Sequence, residues 1–281
     1  MPEKNLFSGR KLVIASMHEK ERVIGPMVAS QLGVLPMVSK ELDTDQFGTF
    51  SGEIERIYSP LDAARLKCKL AMNLTGCDLA IATEGSFFAH PELIFFPANE
   101  ELVMLLDKRN NLEITESKLS INTNFDGRDC NTLQQLLGFA ESIGFPECAL
   151  ILRNAKGSCE EVFKGIRSRE ILIKKFNRLM NSYGKVYAET DMRAMHNPIR
   201  MKVIAEATKA MLTRLAVTCI KCKTPGFGRT GAIHGLACAN CGLATSSPKF
   251  YIYKCAKCNY QEKLPVEAKS ESPMHCKNCN P

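Results

Sequence analysis

Eight of the thirteen cysteines stand in four Cys-x-x-Cys pairs, all between Cys219 and the final residue, Pro281. The pairs are Cys219/Cys222, Cys238/Cys241, Cys255/Cys258 and Cys276/Cys279. Each is a short turn that presents two sulfurs to one centre. Eight thiolates make two tetrahedral four-sulfur sites, so the spacing implies two structural Zn2+ ions. Cys241 is followed by Gly242 and Cys258 by Asn259, residues that tolerate the left-handed turn of a zinc knuckle. A segment this small and loop-rich buries too little apolar area to fold alone, and metal binding would supply its folding free energy. A thioredoxin-type redox pair accounts for one Cys-x-x-Cys but not for four in succession. Four thiolates also suit iron.

Two pairings satisfy the spacing. Tandem ribbons join the first pair with the second and the third with the fourth. An interleaved cross-brace joins first with third and second with fourth. Tyr253 to Tyr260 reads as a knuckle inside a β-hairpin, with Met274-His275-Cys276 returning as the second knuckle, which is similar to a rubredoxin-like ribbon and favours the tandem arrangement.

The formal charge of +7 looks like a nucleic-acid signal and is discounted by the same cysteines. Residues 219–281 hold nine Lys or Arg and three Glu, so +6 of the +7 lies there. Two Zn2+ bound by eight thiolates change that region by about −4. Lys221, Lys223, Lys254, Lys257 and Lys277 sit in or beside the knuckles, where they offset thiolate charge. The other five cysteines, Cys68, Cys77, Cys130, Cys148 and Cys159, have no pair spacing; free thiols beside metal thiolates suit a reducing cytoplasm. The apolar run Leu12 to Ala15 is too short for a signal peptide or a membrane span, and no later run reaches span length, so no membrane partner is expected.

The spacing predicts two domains, 1–217 and 218–281. The larger is read as α/β, a mixed sheet flanked by helices, followed by the small zinc-ribbon domain. Lys11 to Met17 reads as a buried strand, and a helix follows from His18 until Gly33 closes it. Residues 39–58 are polar and odd: Asp43-Thr-Asp-Gln-Phe-Gly-Thr-Phe-Ser-Gly-Glu53 reads as a loop that can offer hydroxyls to an anion or carboxylates to a metal. Asp45, Thr49 and Glu53 are its candidates. Ser59-Pro60 starts a helix that reaches about Gly76, with Arg65 and Lys67 on it. Asp78 to Thr83 is a second core strand ending in Glu84-Gly85-Ser86, and His90 follows. An acid at the carboxyl end of a strand is where an α/β sheet places ligands, which brings in Glu84 and Ser86.

Residues 101–107 and 112–121 look like a hairpin, ended by the polar Asn122-Thr123-Asn124. A helix near 132–143, a strand near 149–153 and a basic amphipathic helix over 168–183 come next. The last body motif is Asp191-Met-Arg193-Ala-Met-His196-Asn197-Pro-Ile-Arg200, with Asn197 as the cap of a helix that runs to about Val217. Two guanidiniums beside a helix N-terminus suit a phosphate or carboxylate; an Asp–Arg structural pair is the alternative.

These motifs together resemble a bacterial family of the domain-of-unknown-function type with a C-terminal tandem zinc-ribbon tail. Residues 11–88 are also similar in order to inosine-triphosphate pyrophosphatase-like proteins: a strand ending in a polar turn with Lys20, a helix, an acidic and Thr-rich loop, a basic helix, then a strand ending in acid and Gly. That resemblance implies phosphate contacts at Lys20, Arg65 and Lys67 and metal ligands at Glu53 and Glu84. His18 stands where the family has Asn, and Glu84-Gly85 replaces its double Asp.

The expectation is therefore a hydrolase or binding domain for a phosphate-bearing, nucleotide-like ligand, assisted by Mg2+ or Mn2+ at Glu84, Glu53 and Asp45. Glu84, Asp191 and His18 are its catalytic candidates. Lys20, Arg65, Lys67, Arg193, Arg200 and Asn197 would meet phosphate. Ser86, His90, Thr123, Asn124 and His196 complete the ligand-binding candidates. The alternative is a zinc-ribbon module that contacts nucleic acid or protein, with a ligand-sensing body; Phe250, Tyr251, Tyr253 and Tyr260 would then form a stacking surface or the small core of the ribbon.

Overall fold

The computed structural model describes residues 6–48, 54–93 and 95–281, apart from the side chain of Asp45. The chain divides into two compact units, Met1–Met211 and Leu212–Pro281. The larger is a mixed α/β structure with two sheets.

Its first sheet begins as an α/β unit should. Strand β1 (Lys11–Ala15) leads through a polar turn into α1 (Glu21–Leu32), which Gly33 ends in the left-handed conformation at φ 68°. The short β2 (Leu35–Met37) returns parallel to β1. After a loop with one 3-10 turn, Asp45–Phe47, helix α2 (Pro60–Thr75) starts as its sequence requires. Ser59 accepts from the Asp62 amide at 3.1 Å and Pro60 takes the first position. Then come β3 (Leu79–Ala89), β4 (Pro97–Asp107) and β5 (Leu112–Ser120), giving the order β2-β1-β3-β4-β5. β1 pairs parallel with β3, and β3, β4 and β5 pair antiparallel.

Alternation along these strands decides what covers each face. Val13, Ala15, Ala80, Ala82 and Met104 pack against Ala64, Cys68, Ala71 and Met72 of α2. Ile14 points the other way, towards α1, where a Cβ on Gly25 would already stand 3.8 Å from its Cδ1. Small residues in α2 thus let the helix lie close on one face while α1 covers the other.

The second sheet is built from β6 (Gly127–Asp129), β7 (Leu150–Arg153), β8 (Val162–Ile166) and β9 (Tyr187–Thr190), in the order β6-β9-β7-β8. Helices α3 (Leu133–Ser142) and α4 (Arg169–Tyr183) bury Leu136, Phe139, Leu172, Phe176 and Leu179 with Leu150, Leu152, Ile166 and Ala188. Each fully buried aliphatic or Phe side chain of this kind contributes about 1.5–3 kcal/mol. Helix α5 (Pro198–Leu215) follows. Among the described residues no helix is long and apolar enough to cross a membrane.

The smaller unit holds one antiparallel sheet, β10 (Gly228–His234), β11 (Pro248–Lys254) and β12 (Gln261–Pro265), set among four cysteine knuckles.

Candidate functional site

The knuckles come first because their geometry is the most regular. Three of them are turns closed on their first cysteine: the Lys223 amide donates to the Cys219 carbonyl, Gly242 to Cys238, and Asn280 to Cys276; in the third knuckle the Cys255 amide donates to the Tyr260 carbonyl. Lys223, Gly242 and Asn259 take the left-handed conformation just after the second cysteine of their pairs. That turn aims amides at sulfur, as Asn240 does towards Cys238 and Lys257 towards Cys255, both at 3.4 Å.

The four knuckles converge in two sets, Cys219, Cys222, Cys255 and Cys258, and Cys238, Cys241, Cys276 and Cys279. First pairs with third and second with fourth. The tandem arrangement is therefore corrected to an interleaved cross-brace. The reason lies in the sheet: β10 leaves the first knuckle and runs antiparallel to β11, whose last residue, Lys254, pairs with Gly228 and delivers Cys255 beside Cys219. The second pair lies in the β10–β11 connection at the far end, where Cys238 bridges to Glu271 ahead of the fourth pair. Sulfurs within a set stand 3.5–3.9 Å apart across the paired knuckles. A disulfide needs about 2.05 Å, whereas four ligands at about 2.3 Å from one tetrahedral ion lie about 3.8 Å from each other. Cys222 is held low, at about 6, by the hydroxyl and amide of Thr224, and Cys241 at about 7 by the amide of Leu243, while Cys258, against the Tyr260 amide, and Cys279, against Asn240, are pushed up to about 11 by burial and the neighbouring sulfurs. The two sets fit two structural zinc ions.

The larger unit gathers its polar candidates at the carboxyl end of β1. Ala15 is the last β1 residue to pair with β3, opposite Ala82, while β3 continues to Ala89. The sequence reading that ends this strand at Thr83 is corrected: Glu84, Gly85 and Ser86 lie inside it, because β4 supplies an antiparallel partner as far as Pro97. Beyond the end of β1, however, Thr83 and Glu84 border a cavity of about 50 Å³. Its walls include Ser16, His18, Lys20, Arg56, Lys67, Lys164 and Arg193.

Several elements build this cavity. Ser16 follows β1 and its hydroxyl accepts from the amides of His18 and Lys20, shaping the turn into α1. Lys20 is buried and its Nζ donates to the Thr83 hydroxyl at 2.7 Å. Glu84 forms ion pairs with Lys67 from α2 and with Arg56 at 3.1 Å. From the second sheet come Lys164 of β8 and Arg193 after β9. Among the described lining residues are five cationic side chains and a single carboxylate, Glu84. The electrostatics follow. Burial, then Arg200 and Lys67, against the opposing pull of Glu101 and Glu84, bring Lys20 down to about 7. Burial and the cations Lys20, Arg200, Arg193 and Lys67 bring His18 down to about 3, so its imidazole is neutral.

Other candidates fall elsewhere. Asp191 is fully buried and does not line the cavity; it accepts from the Gly165 amide and from the backbone and guanidinium of Arg193, so it positions that arginine. Arg200 is buried to 1% exposure and lies against Glu101, Nε to Oε1 at 2.6 Å, over the Phe87 ring, so it meets the β4 carboxylate and is not among the cavity's lining residues. Gly85 makes room for that pair: a Cβ there would stand 2.7 Å from the Glu101 carboxylate and closer still to Arg200. Asn197 caps α5 by accepting from the Arg200 amide and donates to Asn124, which itself donates to the Ile143 carbonyl. Arg65 is half-buried, pairs with Glu113 and Asp62, and is not among the cavity's lining residues.

His90 accepts from the amides of Glu92 and Leu93 in its own turn, Thr123 accepts from the Phe125 amide, and Ser86 is half-buried within β3. His196 packs on Gly165, 3.0 Å from where its Cβ would be, and burial lowers its pKa. Thr49, Glu53 and the side chain of Asp45 lie outside the described residues. Among the described residues the two cysteine sets are the groups of three or more His, Cys, Asp or Glu within ligating reach. The sequence reading passed over Ser16, Arg56, Thr83, Glu101 and Lys164. Glu101 sits in a strand with no turn signal, and Lys164 in the stretch between the strand near 149–153 and the helix over 168–183, to which the sequence reading assigns no element.

A mixed α/β unit with a cationic cavity, followed by a cross-braced eight-cysteine module, defines the class. The model of a family described as Domain of unknown function (DUF6671) matches residues 67–281, and the chain belongs to that family. No curated protein matches the chain.

Proposed function

We propose that the larger unit binds a phosphate-bearing, nucleotide-like small molecule at the end of β1 and hydrolyses it there. The observation that carries this reading is the cavity wall itself, five cationic side chains and one carboxylate among the described lining residues. A bound phosphate opposes the burial and the neighbouring cations that depress Lys20, and Lys67, Lys164 and Arg193 reach it from three separate elements. Glu84, fixed by Lys67 and Arg56, is the group placed to take a proton from an attacking water. Mg2+ or Mn2+ belongs to the same proposal: Glu84 would hold the ion, which would supply charge to polarise a phosphoryl oxygen.

The nucleotide-like part draws on a second cavity, of about 380 Å³, lined by Phe88, Phe95, Phe96, Phe125 and Tyr187. Phe88 lies four residues along β3 from Glu84, about 13 Å at strand rise. An aromatic base suits such walls.

A thermal-shift screen tests the reading, with tripolyphosphate, nucleoside triphosphates and sugar phosphates, each with and without Mg2+ or Mn2+, followed by assay of released phosphate. Ligands that bind only the folded state raise Tm by mass action. Shifts with triphosphates that shrink in Lys164→Ala support the site. No shift with any phosphate would overturn it. A shift without phosphate release would retain the binding and remove the hydrolase.

A further inference from the structure

The smaller unit carries all of the chain's excess charge. Residues 212–281 hold ten Lys or Arg against three Glu, which accounts for the whole +7, and the larger unit is balanced. Two zinc tetrathiolates, at −2 each, still leave about +3. Compensation of thiolate charge therefore does not use up the lysines.

Where the charge lies matters more than its sum. The aromatic residues of the module divide between the two faces of its sheet. Phe227 stacks on Tyr260 at 5.8 Å and packs with Tyr253, Cys219 and Cys255, forming the small core by the first cysteine set. Alternation along β11 sends Phe250, Ile252 and Lys254 to the face opposite Tyr253. The register sets Ile233 beside Phe250 and Lys263 beside Ile252, with Pro265 and Gln261 completing β12 on that face. Phe250 and Ile252 are half-buried, outside the core cluster, and Lys263 is exposed. Lys249 reaches over the Phe250 ring, 5.8 Å from its centroid. This face presents an aromatic ring and aliphatic floor bordered by Lys249, Lys254 and Lys263, and its three strands place no acid on it.

We propose that this face of the β10–β12 sheet binds single-stranded nucleic acid. The bases stack on Phe250 and against Ile252, and the phosphates run along Lys249, Lys254 and Lys263. Stacking on an aromatic ring is sequence-tolerant, and an antiparallel sheet edged by lysines suits an extended strand better than a duplex, whose bases are already stacked. The occupant is chosen by charge complementarity: a polyanion with exposed rings matches both features of the face, whereas an acidic protein segment matches only the lysines.

The test is fluorescence anisotropy with the zinc-loaded full chain and a labelled uridine-only RNA of about 20 nucleotides, longer than one sheet can cover. A thymidine-only DNA and a duplex of the same length run beside it, over a series of salt concentrations. The expected result is binding at low salt that weakens steeply as salt rises. The triple variant Lys249→Glu, Lys254→Glu, Lys263→Glu should lose at least tenfold in affinity. It should also flatten the plot of log K against log salt by about 2, since each lost phosphate contact removes about 0.7. Phe250→Ala should weaken single-strand binding about tenfold, one stacked base, and change the salt slope little. Zinc content and circular dichroism of each variant establish that the module is still folded. No binding at the lowest salt would overturn the proposal and leave the face to a protein partner. Equal affinity for duplex and single strand, or a charge-reversed variant with unchanged affinity and slope, would overturn it as well.

Discussion

The two cysteine centres and the cavity at the end of β1 are both polar sites, built in opposite ways. Each centre is made of two local turns, and a Cys-x-x-Cys turn fixes half of its geometry within four residues. The cavity is made of side chains from β1, the turn into α1, the segment before α2, α2 itself, β3, β8 and the segment after β9. None of these segments shapes it alone. The first kind of site depends on an ion for its existence, the second on the packing of the sheets behind it. Ion removal should therefore destroy one and spare the other, and core substitutions should do the reverse.

The largest expected effect is on the metal side of that comparison. Structural zinc in small modules contributes apparent free energies of about 10–16 kcal/mol. Cys255→Ser, or chelation, should abolish the fold of Leu212–Pro281, because the core of Phe227, Tyr253 and Tyr260 packs on Cys219 and Cys255 themselves. Limited proteolysis checks this: cleavage confined to residues beyond Leu212, with the larger unit intact, is the expected pattern. Metal analysis of the untreated protein should return two zinc per chain by the ligand sets.

Next in size is Glu101→Gln. It leaves the Arg200 guanidinium, 0% exposed at its side chain, without its carboxylate. Breaking a buried pair from one side costs about 3–5 kcal/mol. Urea denaturation should show that loss in the larger unit alone. Zinc retained in the variant, with its cysteine module still resistant to protease, would sharpen the contrast; zinc loss would break it.

How much of this the sequence disclosed follows the same divide. Thiolate spacing is covalent information, so the existence of two four-sulfur sites was legible. Their interleaving was not, because it depends on the β10–β11 pairing, which Cys-x-x-Cys spacing does not record. Helix ends were legible wherever a cap is local: Ser59-Pro60, Thr132 with Gln135, and the glycines Gly33, Gly76 and Gly184. The second sheet was read only in part. β6 and β8 are short and polar at their exposed positions, and β8 includes Gly165 at φ 69°, which breaks the alternation. The same limits apply to the cavity. The sequence reading grouped Arg193 and Arg200 by nearness along the chain, yet the fold turns one to the cavity and buries the other on Glu101.

A smaller effect should appear with pH. The folded chain keeps His18 neutral down to about pH 3, whereas the unfolded chain protonates it near 6.5. Between those values the unfolded state binds more protons, so this group's contribution is full above about pH 6.5 and is lost as pH falls towards 3. Carboxylates add to acid unfolding, so the comparison is between the chain and His18→Gln. The variant should lose stability less steeply over that window in urea titrations. Equal slopes would mean that His18 is not held in the cationic wall.

The most direct test of the central claim is calorimetric titration of a nucleoside triphosphate into the protein at about pH 8, in buffers of different ionisation enthalpy, above the Lys20 pKa of about 7. An anion seated among Lys20, Lys67, Lys164 and Arg193 raises the Lys20 pKa, so the expected result is saturable binding with net proton uptake, weakened in Lys164→Ala and lost as uptake in Lys20→Met. Absence of binding, or binding without proton uptake that both variants leave unchanged, would contradict the cavity as the phosphate site.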